Sequence, residues 1–394
     1  MWAGLPCYII GGGPSVRDLD LSLLAGQLTI GINRAYELMD PTIIFGMDAR
    51  FWTWVEVGQF GPEMREKFDN YRKGFKVWLA VGGIRTYPED FLLVEDRGMD
   101  VFSQNLLEGI GNGNNSGYAA LNLAYLLGAN PISLIGYDMK GDAQGAQSWF
   151  HSGYPQKQAA RVYAQFREKL EKTAAPALAA AGRKVFNLCE DSALTCFPRL
   201  WGSILELVPR TPLVVSYYTP GSGYEECAHS LENSLRPWGL ERDIRPVPDQ
   251  GGWQKNTQYK AQFLLDMLAA HPGRPLLYLD ADATMEEYPR LLLDREDCDL
   301  AAHIRQGKEL LSGTLYLSGS PDCRRIMQAW VDENKSHPNQ WDQLNLQQVV
   351  HTIGLRFKEL PAEYCCIFDS MQDVDKPVIL QWQASRRLKR EVGA

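Results

Sequence analysis

The chain has 394 residues, 45% hydrophobic and 22% charged, with a formal net charge of −8. At roughly 100–200 residues per domain this length holds about two domains, each large enough to bury a core without staples. Three of the excess negative charges fall up to Pro209 and five after it, which excludes the positive field of a free-standing nucleic-acid binder.

The first half alternates strand and helix. Short β-branched runs at Tyr8–Ile10, Leu28–Ile32, Thr42–Phe45, Val77–Val81 and Ile132–Ile135 are separated in part by helical patterns at Gly117–Leu127 and Lys157–Ala181, and KVFNL supplies a last strand. This order predicts an α/β domain with a largely parallel sheet over residues 1–209. At Pro209–Pro212 the pattern restarts. LVVSYYT, IRPVP, PLLYLDADA, DLAAHI and SGTLYLS read as strands, and helices are expected over YEECAHSLENSLRPWG, WQKNTQYKAQFLLDMLAAHPG, Cys323–Lys335 and Trp341–Ile353. Residues 210–394 are therefore expected to form a second Rossmann-like α/β domain, with a mixed sheet.

The eight cysteines include no C-x-x-C pair and read as reduced core thiols. No stretch approaches about 18 apolar residues. LPCYIIGGG enters a strand and turn within a dozen residues, unlike a secretory signal, so a cytoplasmic protein without a membrane span is expected.

The first strand ends in GGGPS. Glycine lets a backbone turn tightly and approach a ligand, and the amides of such a turn can hold phosphate. Val16 stands where a dinucleotide fingerprint needs its third glycine, and the second strand ends in Asn33 and Arg34, not an acid; a dinucleotide cofactor is not expected. A second polar turn, GNGNNSG, precedes a helix and presents Asn114, Asn115 and Ser116 either as ordinary caps or as an anion site. The stretches IIGGGPSV, IGINRAYEL, FGMDARFW, GNNSGYAALNLAYLLGA and LIGYDM, with His151 following, resemble the phage and bacterial proteins related to sialyltransferases and the pterin pyrophosphokinase-like proteins. The resemblance implies a nucleotide held by Gly11, Gly13, Ser15, Asn33, Ser116 and Gly117, with His151 as general base.

In the second half, Asp280 and Asp282 alternate at the end of LLYL and so point to one face. Two carboxylates at 4 Å repel by about 1 kcal/mol in water and about 4 kcal/mol at an effective dielectric near 20. A divalent cation reverses that sign, and oxygen ligands suit Mg²⁺ or Mn²⁺. The stretches VVSYYTPGSGYEECAHSLENSLRPWGL, LLYLDADATM, LLSGTLYLS, WDQLNLQQVV and LPAEYCCIFD resemble nucleotide-diphospho-sugar transferases of glycosyltransferase-A fold. That resemblance implies donor contacts from Ser216, Tyr217, Tyr218, Thr219, Lys260 and Asp280, a metal on Asp280 and Asp282, and Asp342 as an acid facing the acceptor. Asp342 also suits plain charge placement at a helix start. Relatives close the metal site with a late-strand His; here the strand reads PVILQWQ, leaving Gln381 as the metal ligand. The tail cations Arg386, Arg387 and Lys389 would either neutralise the leaving diphosphate or form a solvated face.

His303 and His351 read as core residues, and Trp253, Trp341 and Trp382 as candidate sugar-stacking faces. The combined expectation is a metal-assisted glycosyltransferase with a nucleotide-sugar donor and an acceptor glycan. One alternative is a phage enzyme that glycosylates a hydroxylated base in modified DNA. In another, one half is a non-catalytic nucleotide- or glycan-binding module.

Overall fold

The computed structural model describes residues 1–81, 86–156 and 159–384. By internal contacts the chain divides into two units, Met1–Val208 and a second from Pro209 onward.

In the first unit, β1 (Cys7–Ile10), β2 (Thr29–Ile32), β3 (Ile43–Asp48), β4 (Phe75–Val81), β5 (Phe91–Val94), β6 (Ile132–Ile135) and β7 (Val185–Asn187) form one sheet in the order β5-β4-β3-β2-β1-β6-β7. All its pairings are parallel. β1 and β2 are buried along their whole length, as strands covered on both faces must be, which explains their unbroken apolar runs. The order reverses at β1, which pairs with β2 on one side and β6 on the other. In such sheets the crevice outside the carboxyl ends at this reversal is where ligands bind. The first unit also carries α1 (Ala49–Glu56), α2 (Pro62–Asp69), α3 (Ser116–Leu127), α4 (Val162–Lys169) and α5 (Ala175–Ala180). Asn115 caps α3 by accepting from Gly117 N–H, and Gly128 ends it at φ 97°. The pattern expected as one helix over Lys157–Ala181 is α4 and α5 joined by a π-helical turn, Leu170–Ala174.

In the second unit, β8 (Leu213–Tyr218), β9 (Arg242–Pro246), β10 (Leu276–Leu279), β11 (Ala283–Met285), β12 (Leu300–Arg305), β13 (Glu309–Leu317), β14 (Phe357–Glu359), β15 (Cys366–Ile367) and β16 (Ile379–Gln381) make two sheets. The larger, β14-β12-β13-β10-β8-β9, is mixed: β13 runs antiparallel to β10 and β12, while β8 is parallel to β9 and β10. β11, β16 and β15 form a small second sheet. The helices are α6 (Gly223–Leu235), α7 (Trp253–Ala270), α8 (Pro321–Ser336) and α9 (Asp342–Thr352). Leu276 and Tyr278 of β10, Leu264 and Met267 of α7 and Trp330 of α8 share one core, and Trp330 Nε1 donates to Asp342 O at 2.9 Å, tying α8 to the start of α9. The fold is therefore mixed α/β, with a parallel Rossmann-like sheet in one unit and a mixed sheet in the other.

No described helix is long and apolar enough to cross a membrane. The eight cysteines form no disulfide, and six of them are buried. His303 is buried, its Nδ1 at 2.9 Å from Leu360 O, but His351 lies exposed on α9, because its helix presents that position to solvent.

Candidate functional site

Two sites take shape, one in each unit. In the first, a cavity of about 590 Å³ opens at the carboxyl ends of β1, β2, β3 and β6. Gly11, Gly13, Asn33, Ser116 and Gly117 all line it, joined by Asp48, Asn115 and Asp138 and by an aromatic wall including Phe51, Trp54, Trp149 and Tyr154. Two buried polar atoms on lining residues have no partner, Asn33 Oδ1 and Asn115 Nδ2. An unmet buried acceptor or donor costs about 1–3 kcal/mol, so this pair marks a place where a ligand with complementary groups would relieve strain.

The glycine turn itself does not hold the free amides expected of a phosphate cradle. Gly11 N–H donates to Ile135 O at 2.7 Å and Gly13 N–H to Gly136 O at 3.0 Å. Ser15 gives both its N–H and its hydroxyl to Asp138, at 3.2 and 2.8 Å. Asp138 thus places a carboxylate where the phosphate was expected, and Ser15 is its partner. A Cβ on Gly13 would stand 1.9 Å from Asp138 Oδ2 and 2.6 Å from Gly136 O. Gly13→Ala is accordingly expected to lower stability by about 1–3 kcal/mol through overpacking, read as a reduced urea midpoint; an unchanged midpoint would show that the turn can move aside.

His151 does not line the cavity. Its ring stacks on Trp149, with centroids 5.9 Å apart, and its Nδ1 accepts from Gly153 N–H at 3.0 Å, which leaves the proton on Nε2. Burial, then the nearby Arg34 and Arg17 cations, hold its pKa down to about 3. The ring thus lies off the cavity with its basicity lowered and its Nε2 buried without a partner, a placement that gives the general-base expectation no support.

The second site lies beyond the end of β10. Lys260, buried on α7, reaches Asp280 Oδ1 at 2.9 Å and Asp342 Oδ2 at 3.4 Å, and donates to Ser312 O and Oγ at 3.2 and 3.1 Å. Burial opposes its charge, but Asp280 and Asp342 outweigh that and raise its pKa. Lys260 is therefore a positioning residue, not the donor contact expected. Asp342 is also buried, accepts from Ser312 Oγ at 3.1 Å and opens the first turn of α9. Burial raises its pKa, with Lys260 opposing. An acid so enclosed supports the site and does not face an acceptor.

Asp280 is about one-third exposed and accepts from Tyr278 Oη at 2.8 Å. Asp282 accepts from Ala384 N–H at 2.6 Å; burial first, then the Asp280 charge, push its carboxyl up to about 6. Gln381 on β16 donates through Nε2 to Gly313 O and Thr314 Oγ1, both at 3.0 Å, which leaves Oε1 directed elsewhere. A Cβ on Gly313 would lie 3.1 Å from Asp280 Oδ2 and 3.2 Å from Gln381 Oε1. Glycine thus keeps open the space bordered by these two oxygens.

Three carboxylates and one ammonium leave this cluster two negative charges in excess. The Asp280 and Asp282 carboxylates and the buried Gln381 amide oxygen are hard ligands of the kind Mg²⁺ and Mn²⁺ take together with phosphate oxygens. Among the described residues no three His, Cys, Asp or Glu side chains gather as a group that could hold a metal ion by themselves.

Of the remaining expected donor contacts, Ser216 is fully buried on β8 and its hydroxyl unpartnered. Tyr217 Oη is spent on Asn256 O at 2.7 Å. Tyr218 and Thr219 are partly exposed; Thr219 O accepts from Ser222 Oγ at the start of α6. Arg386, Arg387 and Lys389 lie outside the described residues.

No family model matches the sequence, and no curated protein does. Among solved structures, the chain resembles a glycosyltransferase involved in the glycosylation of the major capsid of PBCV-1, with TM-score 0.37 and 11% identity over 47% of this chain and all of that one. It also resembles the glycosyltransferase GlyE of Streptococcus pneumoniae TIGR4, at TM-score 0.31 and 15% identity over 44% of this chain and 55% of that one. An active-site mutant of LgtC gives TM-score 0.31 and 12% identity over 46% and 95%. Each likeness is partial and distant.

Proposed function

We propose that the chain is a glycosyltransferase that moves a sugar from a nucleotide-sugar donor to an acceptor at the acidic site of the second unit. The observation that carries this reading is the strand-end carboxylate of Asp280 set beside the Gln381 amide oxygen at Gly313, with the Asp282 carboxylate two residues on and close enough to feel the Asp280 charge. Asp280, Asp282 and Gln381 would hold Mn²⁺ or Mg²⁺, and the bound cation would supply the positive charge that a departing nucleoside diphosphate needs. Lys260 holds Asp280 by an ion pair, Ser312 and Asp342 hold Lys260 in place, and Ala384 N–H fixes one oxygen of Asp282. Tyr218 and Thr219, at the end of β8, border the nucleotide.

The first unit is proposed to bind a second nucleotide or the nucleotide part of an acceptor, supported by the cavity and by Asn33 Oδ1 and Asn115 Nδ2 within it. With Asp138 at the glycine turn, the amino end of α3 at Ser116 is the better place for phosphate, the Gly117 N–H being held by Asn115. A DNA acceptor has less support: the charge balance of both halves is negative.

The test is a thermal-shift panel of nucleotide sugars with and without Mn²⁺, followed by donor hydrolysis. At about 100 times its Kd a ligand stabilises by about 2.7 kcal/mol, so a true donor should give a clear metal-dependent rise and then turn over. A panel with no metal-dependent rise and no hydrolysis refutes the assignment.

A further inference from the structure

We propose that Trp382 and Phe368 form a platform for a neutral pyranose ring, the acceptor side of the transfer proposed above, on which this inference rests for its role though not for its binding. Both side chains are unusually exposed for their size, 48% and 43%, with ring centroids 5.5 Å apart and planes 32° from parallel. Both are anchored to the acidic site through their backbone: Trp382 N–H donates to Asp282 O at 3.0 Å, and Phe368 N–H to Gln381 O at 3.2 Å. The indole is fixed in addition, Nε1 donating to Thr284 Oγ1 at 2.9 Å and that hydroxyl to Glu286 Oε1 at 2.6 Å.

A solvent-exposed tryptophan held by its polar edge has already lost rotamer freedom, so a ligand that covers it need not bear that cost. Aromatic faces are electron-rich and attract the slightly positive C–H face of a sugar ring. The rim chooses the class of ligand. Glu286 is exposed and, when ionised, only accepts hydrogen bonds; it suits sugar hydroxyls and repels a phosphate. The occupant is therefore an uncharged saccharide and not the nucleoside diphosphate.

The test uses the full chain, Trp382→Ala and Trp382→Phe, in saturation-transfer difference NMR with methyl glucosides, methyl galactosides, cellobiose, lactose and maltose. Wild-type protein should transfer saturation to the ring protons of at least one of them. Trp382→Ala should weaken that binding by about tenfold or more, as loss of an aromatic anchor does, with Trp382→Phe in between. Metal-dependent thermal shifts by nucleotide sugars should be equal in all three proteins, and equal melting midpoints without ligand would show that the fold is intact. The platform is refuted if no saccharide receives saturation, if Trp382→Ala behaves as wild type, or if Trp382→Ala instead loses the nucleotide shift, which would assign the ring to a base. Absence of any nucleotide shift in wild type, with saccharide binding retained, would overturn the donor assignment and leave the platform standing.

Discussion

Asp282→Asn is expected to abolish the proposed donor turnover and, in metal-free buffer near pH 7.5, to raise the melting midpoint of the protein. The carboxyl of Asp282 titrates near 6 in the folded chain because burial and Asp280 disfavour its charge, against about 3.9 when unfolded. Between those values the folded state holds the extra proton, so stability is greatest below the unfolded value, declines as pH rises through 6, and stays reduced above it. The full cost is about 2–3 kcal/mol. Asparagine cannot ionise and still accepts from Ala384 N–H, so it removes the cost and keeps the bond. For a unit of this size, about 2–4 °C per kcal/mol gives a gain of several degrees, which should vanish at pH 4. Thermal melts at the two pH values decide this, and a midpoint that falls at pH 7.5 would contradict it. Residues that lower stability in order to bind a charged ligand are what a functional site is expected to contain.

Lys260→Met carries the largest expected loss of stability. Among the described residues the ammonium is the cation within ion-pair reach of Asp280 and Asp342, and Asp342 and Ser312 are buried beside it. Removing one partner of a buried ion pair typically costs about 3–5 kcal/mol, chiefly because a charge is left enclosed without compensation. Asp342→Asn in the same chain takes that charge away, so the double variant should recover most of the loss. Urea denaturation of the two single variants and the double variant measures the coupling. A Lys260→Met loss below about 1 kcal/mol, or a double variant no better than the single, would mean that the network does not act as a unit.

Much of this architecture was readable before any coordinates. Parallel strands buried on both faces write continuous β-branched runs, which is why β1, β2 and β6 were evident, and the restart after Pro209 was visible as a change in pattern. β5 was missed because Leu92 and Leu93 are exposed, so its FLLV lacks the bounded, buried look of its neighbours. Asp280 and Asp282 could be singled out because alternation at a strand end is a local property. Their partners could not. Lys260, Ser312 and Asp342 meet only through the packing of α7, β13 and α9. Asp138 meets Ser15 across 123 residues of chain, and no spacing rule anticipates that a carboxylate takes the N–H and hydroxyl of Ser15 beside the glycine turn. The one available hint was the D in GYDM, which sits at the end of the strand beside β1. The basicity of His151 was unreadable for a similar reason: it is lowered first by burial and then by Arg34 and Arg17, two cations distant from it in sequence.

The most direct measurement is an anomalous difference map from crystals soaked with Mn²⁺ and the nucleotide sugar that gives the largest thermal shift. A manganese peak within coordination distance of the Asp280 and Asp282 carboxylates and the Gln381 amide oxygen, bridged to the diphosphate, is the expected result. A nucleotide sugar bound with no manganese at those side chains, or manganese and diphosphate found together elsewhere, would contradict a metal-assisted transfer at this strand end.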